Sequence, residues 1–520
     1  KSSAASDVYK RQGLTEKNEA ALAAGLKKLK DAMTEEELER LIADTKQLKQ
    51  YQETPSSDKE LETIPLLKIA DIEKNPKPFI YKEEKLESFT AVYNELFTNG
   101  IGYLDIAFDF GTVPMEYIPY VGLFKYVLSY MDTDRKYTEL NTDIDMNLGG
   151  LLFSSAVYVN SNGQQAKYEV EVHTKAMNDK LEKAVDIIKE VITKTDFNDE
   201  KRLKEILEET KSRLNKTIIQ SGNIAGRMRA VSDYSADYYI REQISGIAFY
   251  KFLEDILEHY DSRKDEVIQK LSDTKKYIFR KDNMIINYAG DRESYENVKT
   301  YLEKLQSCMY DSVDFKSNFD GWTFEPSQKN EGFITSGQVQ YVSRCGNYKE
   351  GSNEPFDGSM QVLSNIMSSE YLWNNIRVLG GAYGCGCSVT RRGDVMFSSY
   401  RDPNLKRTSD VYLNAPEYIE KFDASEREMR KYIIGTISNM DTPMSAADRS
   451  GREFTQYMSE TTYEMLQRER EDVLNTDVVK IRSLAPKFRK ALDQNHICVV
   501  GGKSAITNDA ELFNEIKELG

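Results

Sequence analysis

Leu22, Leu26 and Leu29, and then Leu38, Leu41, Ile42, Thr45 and Leu48, recur at the three- and four-residue spacing of amphipathic helices. Thr34 followed by Glu37 has the form of a capping box, which places the turn between the two helices near Met33. The stretch from Gln52 to Ser57, with Pro55 inside it, ends the second helix. A helical hairpin with so few sequence neighbours to pack on reads as a connector between two bodies.

From about residue 76 the period becomes mixed. Phe97 to Phe108 reads as a turn entering a strand, Tyr120 to Tyr130 as a helix, and Gly149 to Asn160 and Tyr168 to His173 as strands. A charged amphipathic helix over Asn178 to Thr193 and long helical text through Leu257 follow. The plan then repeats. Met284 to Ala289 reads as a strand, Thr335-Ser336-Gly337 as the opening of another that ends at Val342, Ser359 to Leu372 as a helix, and Val395 to Tyr400 as a strand after a glycine pair. Thr98-Asn99-Gly100 lies roughly fifty residues before Gly149-Gly150, and Thr335-Ser336-Gly337 roughly forty-five before Gly380-Gly381, which suggests a duplicated domain. The expected fold class is α+β. Its parts are an extension over 1–13, a hairpin linker over 14–75, and two domains over 76–270 and 271–520.

A formal net charge of -15, with no basic run interleaved with aromatics, argues against a nucleic-acid partner. No window approaches about 18 consecutive apolar residues, so no transmembrane helix and no membrane partner are expected. Five sparse cysteines fit a reducing compartment, and cytoplasm is the expectation. Residues 1–13 lack apolar period and are set aside as a disordered or spurious extension.

The richest chemistry lies in Asn375-Ile376-Arg377-Val378-Leu379-Gly380-Gly381-Ala382-Tyr383-Gly384. Arg377 and Tyr383 set a guanidinium fork and a phenol on either side of a tight turn, equipment for gripping carbonyl oxygens. The plain alternative is an arginine paired with a local carboxylate and a tyrosine packed under the turn. Nothing nearby does the cutting. His173, His259 and His496 lie far apart, and none sits in a frame that presents two imidazoles and a glutamate on one helix. Cys385-Gly386-Cys387 has no second ligand pair to complete a tetrahedron, so no metal site is expected in this chain. The glycines from Gly380 to Gly386 have the wrong spacing for a phosphate loop.

The hairpin end Tyr51-Gln52-Glu53-Thr54-Pro55, with Thr63-Ile64-Pro65-Leu66-Leu67, Thr98-Asn99-Gly100-Ile101 and Tyr137-Thr138-Glu139-Leu140, resembles the presequence-protease group of the insulinase/pitrilysin zinc metallopeptidases. Asn375 to Gly384, Ser399 to Asn404, Ile434-Gly435-Thr436-Ile437 and Asp441-Thr442-Pro443 add to the likeness, which runs from about Leu14 onward. The resemblance covers only the C-terminal half of such an enzyme and its linker. It implies two homologous insulinase-type (LuxS/MPP-like) α/β sandwich domains, the third and fourth of the whole. It also implies a zinc-bearing N-terminal half as partner, and unfolded peptides as substrate, cut in a closed chamber. Arg377 and Tyr383 then carry substrate and transition-state contacts, with Gly380 and Gly381 shaping the substrate-binding turn. Zinc belongs to the complete enzyme, and this chain alone is expected to be inactive. A non-catalytic subunit or a peptide-binding structural module is the alternative.

Overall fold

The computed structural model describes residues 14–54, 56–160, 163, 165–311 and 321–519; the extension set aside above lies outside them. Two compact units divide the chain after Leu67. In the first, helices span Leu14–Ala32 and Glu35–Glu53, and the capping box closes as expected. The Thr34 N–H donates to Glu37 Oε2 at 2.9 Å, and the Glu37 N–H donates to Thr34 Oγ1 at 3.2 Å. Leu22, Leu26, Leu29, Leu41, Ile42 and Leu48 remain exposed along their stripes.

In the larger unit the described residues form two six-stranded sheets. The first joins β1 (Lys82–Lys85), β2 (Thr90–Glu95), β3 (Ile101–Asp109), β4 (Leu151–Val159), β5 (Ala166–Met177) and β6 (Met284–Gly290) in the order β1-β2-β6-β3-β5-β4. The second joins β7 (Glu331–Thr335), β8 (Tyr341–Asn347), β9 (Gly384–Val389), β10 (Asp394–Tyr400), β11 (His496–Gly502) and β12 (Glu515–Glu518) in the order β12-β7-β11-β8-β10-β9. In each, an early strand runs parallel to the returning one, β2 beside β6 and β7 beside β11, and the next three are antiparallel. The duplication read from the turns is visible here. Thr98 to Gly100 precedes β3 as Thr335 to Gly337 precedes β8, and Gly149-Gly150 precedes β4 as Gly380-Gly381 precedes β9.

Three sequence expectations shift. Met284–Gly290, read as opening the second domain, lies inside the first sheet between β2 and β3, and the expected division at 270/271 cuts the helix Tyr260–Ile278. A returning parallel strand is fixed by distant pairing, which local pattern does not display. Thr335-Ser336-Gly337 closes β7 rather than opening a strand, because the Gly337 N–H donates to Thr335 Oγ1 at 3.1 Å and turns the chain. The last part of the expected linker, from Lys68, belongs to the larger unit, where Ile69 and Ile72 pack on the second core.

Each sandwich lends a helix to the other's sheet. Gly222–Val231 lies across β8, β10 and β11, and at Gly226 a Cβ would come within 2.9 Å of Ser343 Oγ, so only glycine permits the approach. Arg229 then grips Glu331 of β7 with two bonds, 2.6 and 3.0 Å. In return Ala446–Met458 lies on the first sheet, where Phe454 and Met458 pack against Val92 and Ala107. Ser450 donates to Asn287 Oδ1 at 3.1 Å there.

Candidate functional site: an arginine–tyrosine turn beside the second sheet

The helix Ser359–Ile366 continues over Met367–Val378 with widened turns that bond to the fifth residue back. The Leu379 N–H reaches Asn374 O at 3.0 Å in this way, and the Gly381 N–H then reaches Arg377 O at 2.9 Å to end the helix. Gly381 has φ +79°, and at Gly380 a Cβ would stand 2.4 Å from Ile376 O, so both positions of the turn require glycine. Two side chains from the β10 exit clamp the turn. Asn404 donates to Gly380 O at 2.6 Å, and Arg407 donates to Leu379 O at 3.0 Å. Its far side is stitched to β10, where the Tyr383 N–H donates to Tyr400 O at 3.1 Å.

Arg377, at the helix end, and Tyr383, just before β9, are brought together by this turn. An Arg377 Nη1 N–H donates to the backbone carbonyl of Tyr383 itself. Among the described residues no carboxylate pairs with Arg377, and Tyr383 is 65% exposed rather than packed beneath the turn. Its ring meets Tyr400 edge-on at 5.9 Å. The guanidinium lies 4.4 Å from the ring of Trp373 and 5.5 Å from that of Tyr383. Sequence reasoning missed Trp373; its position four residues before Arg377 on the same helix was the available signal.

Beside the turn, β9 carries Cys385 and Cys387. Burial pushes the Cys385 thiol up to about 11, and burial raises that of Cys387 as well, which disfavours thiolate ligands. Among the described residues no cluster of three or more His, Cys, Asp or Glu side chains is placed to hold a metal.

The three histidines stand apart in space. His173 on β5 bonds Asp105 Oδ1 at 2.8 Å and Ser154 Oγ at 2.8 Å, an order that superficially matches a serine-hydrolase triad. Burial opposes its charge, but hydrogen bonds to Asp105 and Glu171 outweigh it and lift the imidazole to about 10. A ring already protonated cannot take a proton from serine. His259 sits beside Asp255 at a helix boundary, and His496 is buried at the start of β11, 3.7 Å from Asp233.

Two like α+β sandwiches, one carrying an arginine–tyrosine turn, define the class as insulinase-type peptidase domains. Family models match residues 11–256 (the associated domain of subfamily C of the M16 peptidases) and 330–500 (PreP C-terminal domain). Protein HypA of Clostridium perfringens is 36% identical over 98% of this chain and 52% of its own length. Presequence protease 1 of Arabidopsis thaliana, chloroplastic/mitochondrial, is 28% identical over 95% of the chain and 46% of its own. The chain thus spans about half the length of the curated relatives it matches. The crystal structure of a peptidase M16 inactive domain from Pseudomonas fluorescens shares the fold, with TM-score 0.56 at 14% identity, over 81% of this chain and 98% of that one. The chain belongs to the presequence-protease-like M16 peptidases and corresponds to their C-terminal half. No helix among the described residues is long and apolar enough to cross a membrane.

Proposed function

We propose that this chain is the substrate-gripping half of a zinc-dependent endopeptidase that degrades unfolded oligopeptides in a closed chamber, with an N-terminal zinc-bearing half as its partner. The observation that carries the reading is the bond from Arg377 to the Tyr383 carbonyl: the turn already holds a peptide oxygen of the kind a substrate offers. The residues described here do not fit a zinc site, so the metal and its chemistry are assigned to the other half. This half supplies binding and charge stabilisation. Arg377 releases its internal carbonyl and takes one from the substrate, while the exposed Tyr383 hydroxyl donates to the oxygen on which negative charge develops. Gly380 and Gly381 let the substrate backbone approach the turn.

The test combines this chain with a zinc-bearing half and follows cleavage of an unfolded fluorogenic peptide, with Arg377→Ala and Tyr383→Phe as variants. Each is expected to lower kcat/KM by about a hundredfold or more, the scale for removing one oxyanion donor. Unchanged rates in both sink the assignment. The chain without its partner is expected to show no cleavage.

A further inference from the structure

The chain contains two tryptophans. Trp322 is tied down, its Nε1 donating to Val113 O at 2.7 Å. Trp373 is 44% exposed, an unfavourable place for an indole that adds little to the core. What it does touch is the guanidinium of Arg377, at 4.4 Å. The widened helix accounts for the meeting: with bonds reaching five residues back, side chains four apart come nearly one above the other. With no carboxylate pairing it among the described residues, Arg377 has its plane set by the indole on one side and, more distantly, by the Tyr383 ring. A guanidinium stacked flat on a ring keeps its N–H edge free to donate in plane, and Nη1 donates to the Tyr383 carbonyl in that manner.

We propose, resting on the function assigned above, that Trp373 is a positioning residue. It stacks on Arg377 so that the N–H edge faces the oxygen site between Arg377 and Tyr383, and it acts on substrate only through the arginine. An ammonium gains nothing comparable from this arrangement, since it has neither plane nor fork. A leucine at 373 keeps apolar bulk but removes the π-face.

The test is a double-mutant cycle in the assembled enzyme, cleaving the same fluorogenic peptide. Trp373→Leu is expected to lower kcat/KM by roughly two- to fivefold, the size an exposed cation–π contact supports, and Trp373→Phe to recover most of the loss. In an Arg377→Ala background Trp373→Leu is expected to change nothing further. On the chain alone, NMR of labelled arginine should show ring-current-shifted Arg377 side-chain protons that return to ordinary positions in Trp373→Leu. If Arg377→Ala is slow but Trp373→Leu matches the wild type, or loses as much with the arginine absent, the positioning role is overturned and the site assignment stands. If Arg377→Ala is fully active, the site assignment falls and takes this role with it, whatever the NMR shows.

Discussion

At the scale of single residues the turn permits little variation. Gly381→Ala asks an L-residue to hold φ +79° and should cost about 1–2 kcal/mol in urea unfolding, with a larger fractional loss in peptide cleavage because the displaced turn carries both donors. His173 gives a prediction in pH. Its folded value, about 10, lies above the ordinary 6.5, so its stabilisation is complete below about pH 6.5 and disappears as pH rises through 10. The difference in melting temperature between the wild type and His173→Gln should therefore shrink steadily across that window. A constant difference would place the effect in packing instead. Arg377 and Tyr383 could be singled out in the sequence as donors flanking a glycine turn, but spacing left them balanced against a structural role, and only the family likeness tipped the choice. Trp373 stayed hidden because an aromatic residue at helical spacing reads as core. Its exposure appears only once the widened helix is built.

At the scale of elements, what was legible followed from local chemistry. The hairpin's capping box, β3, β4, β5 and β10, and the helix from Leu181 to Lys194 all announced themselves through period and turn residues. The edge and closing strands did not. β11, beginning at His496, is apolar without alternation because it is buried at every position, and its neighbours lie over a hundred residues away. The lent helices were equally invisible, since their apolar faces are small: Gly222, Ala225 and Gly226 signal close approach rather than a stripe. Arg229 is the charged fastening of that contact. Arg229→Met leaves the Glu331 and Glu242 carboxylates buried without their shared cation, and should cost about 3–5 kcal/mol in denaturant unfolding. A loss below about 1 kcal/mol would mean that the helix is held by apolar packing alone.

At the scale of the whole molecule, the two sandwiches of the larger unit exchange helices, and that exchange bears on how they come into being. Neither sheet has its full cover until the other sandwich has been made, so each half is chemically unfinished on its own. Residues 76–311 produced separately should therefore aggregate or melt without cooperativity, whereas co-production with 321–519 should return a one-to-one pair that unfolds in a single transition. Two independent melts at the same temperatures as the separate pieces would show the exchange to be incidental. An ancestral duplication held together by swapped helices also becomes hard to undo. Neither copy can drift, shorten or be lost without stranding its sibling, so the pair is inherited as one indivisible building block.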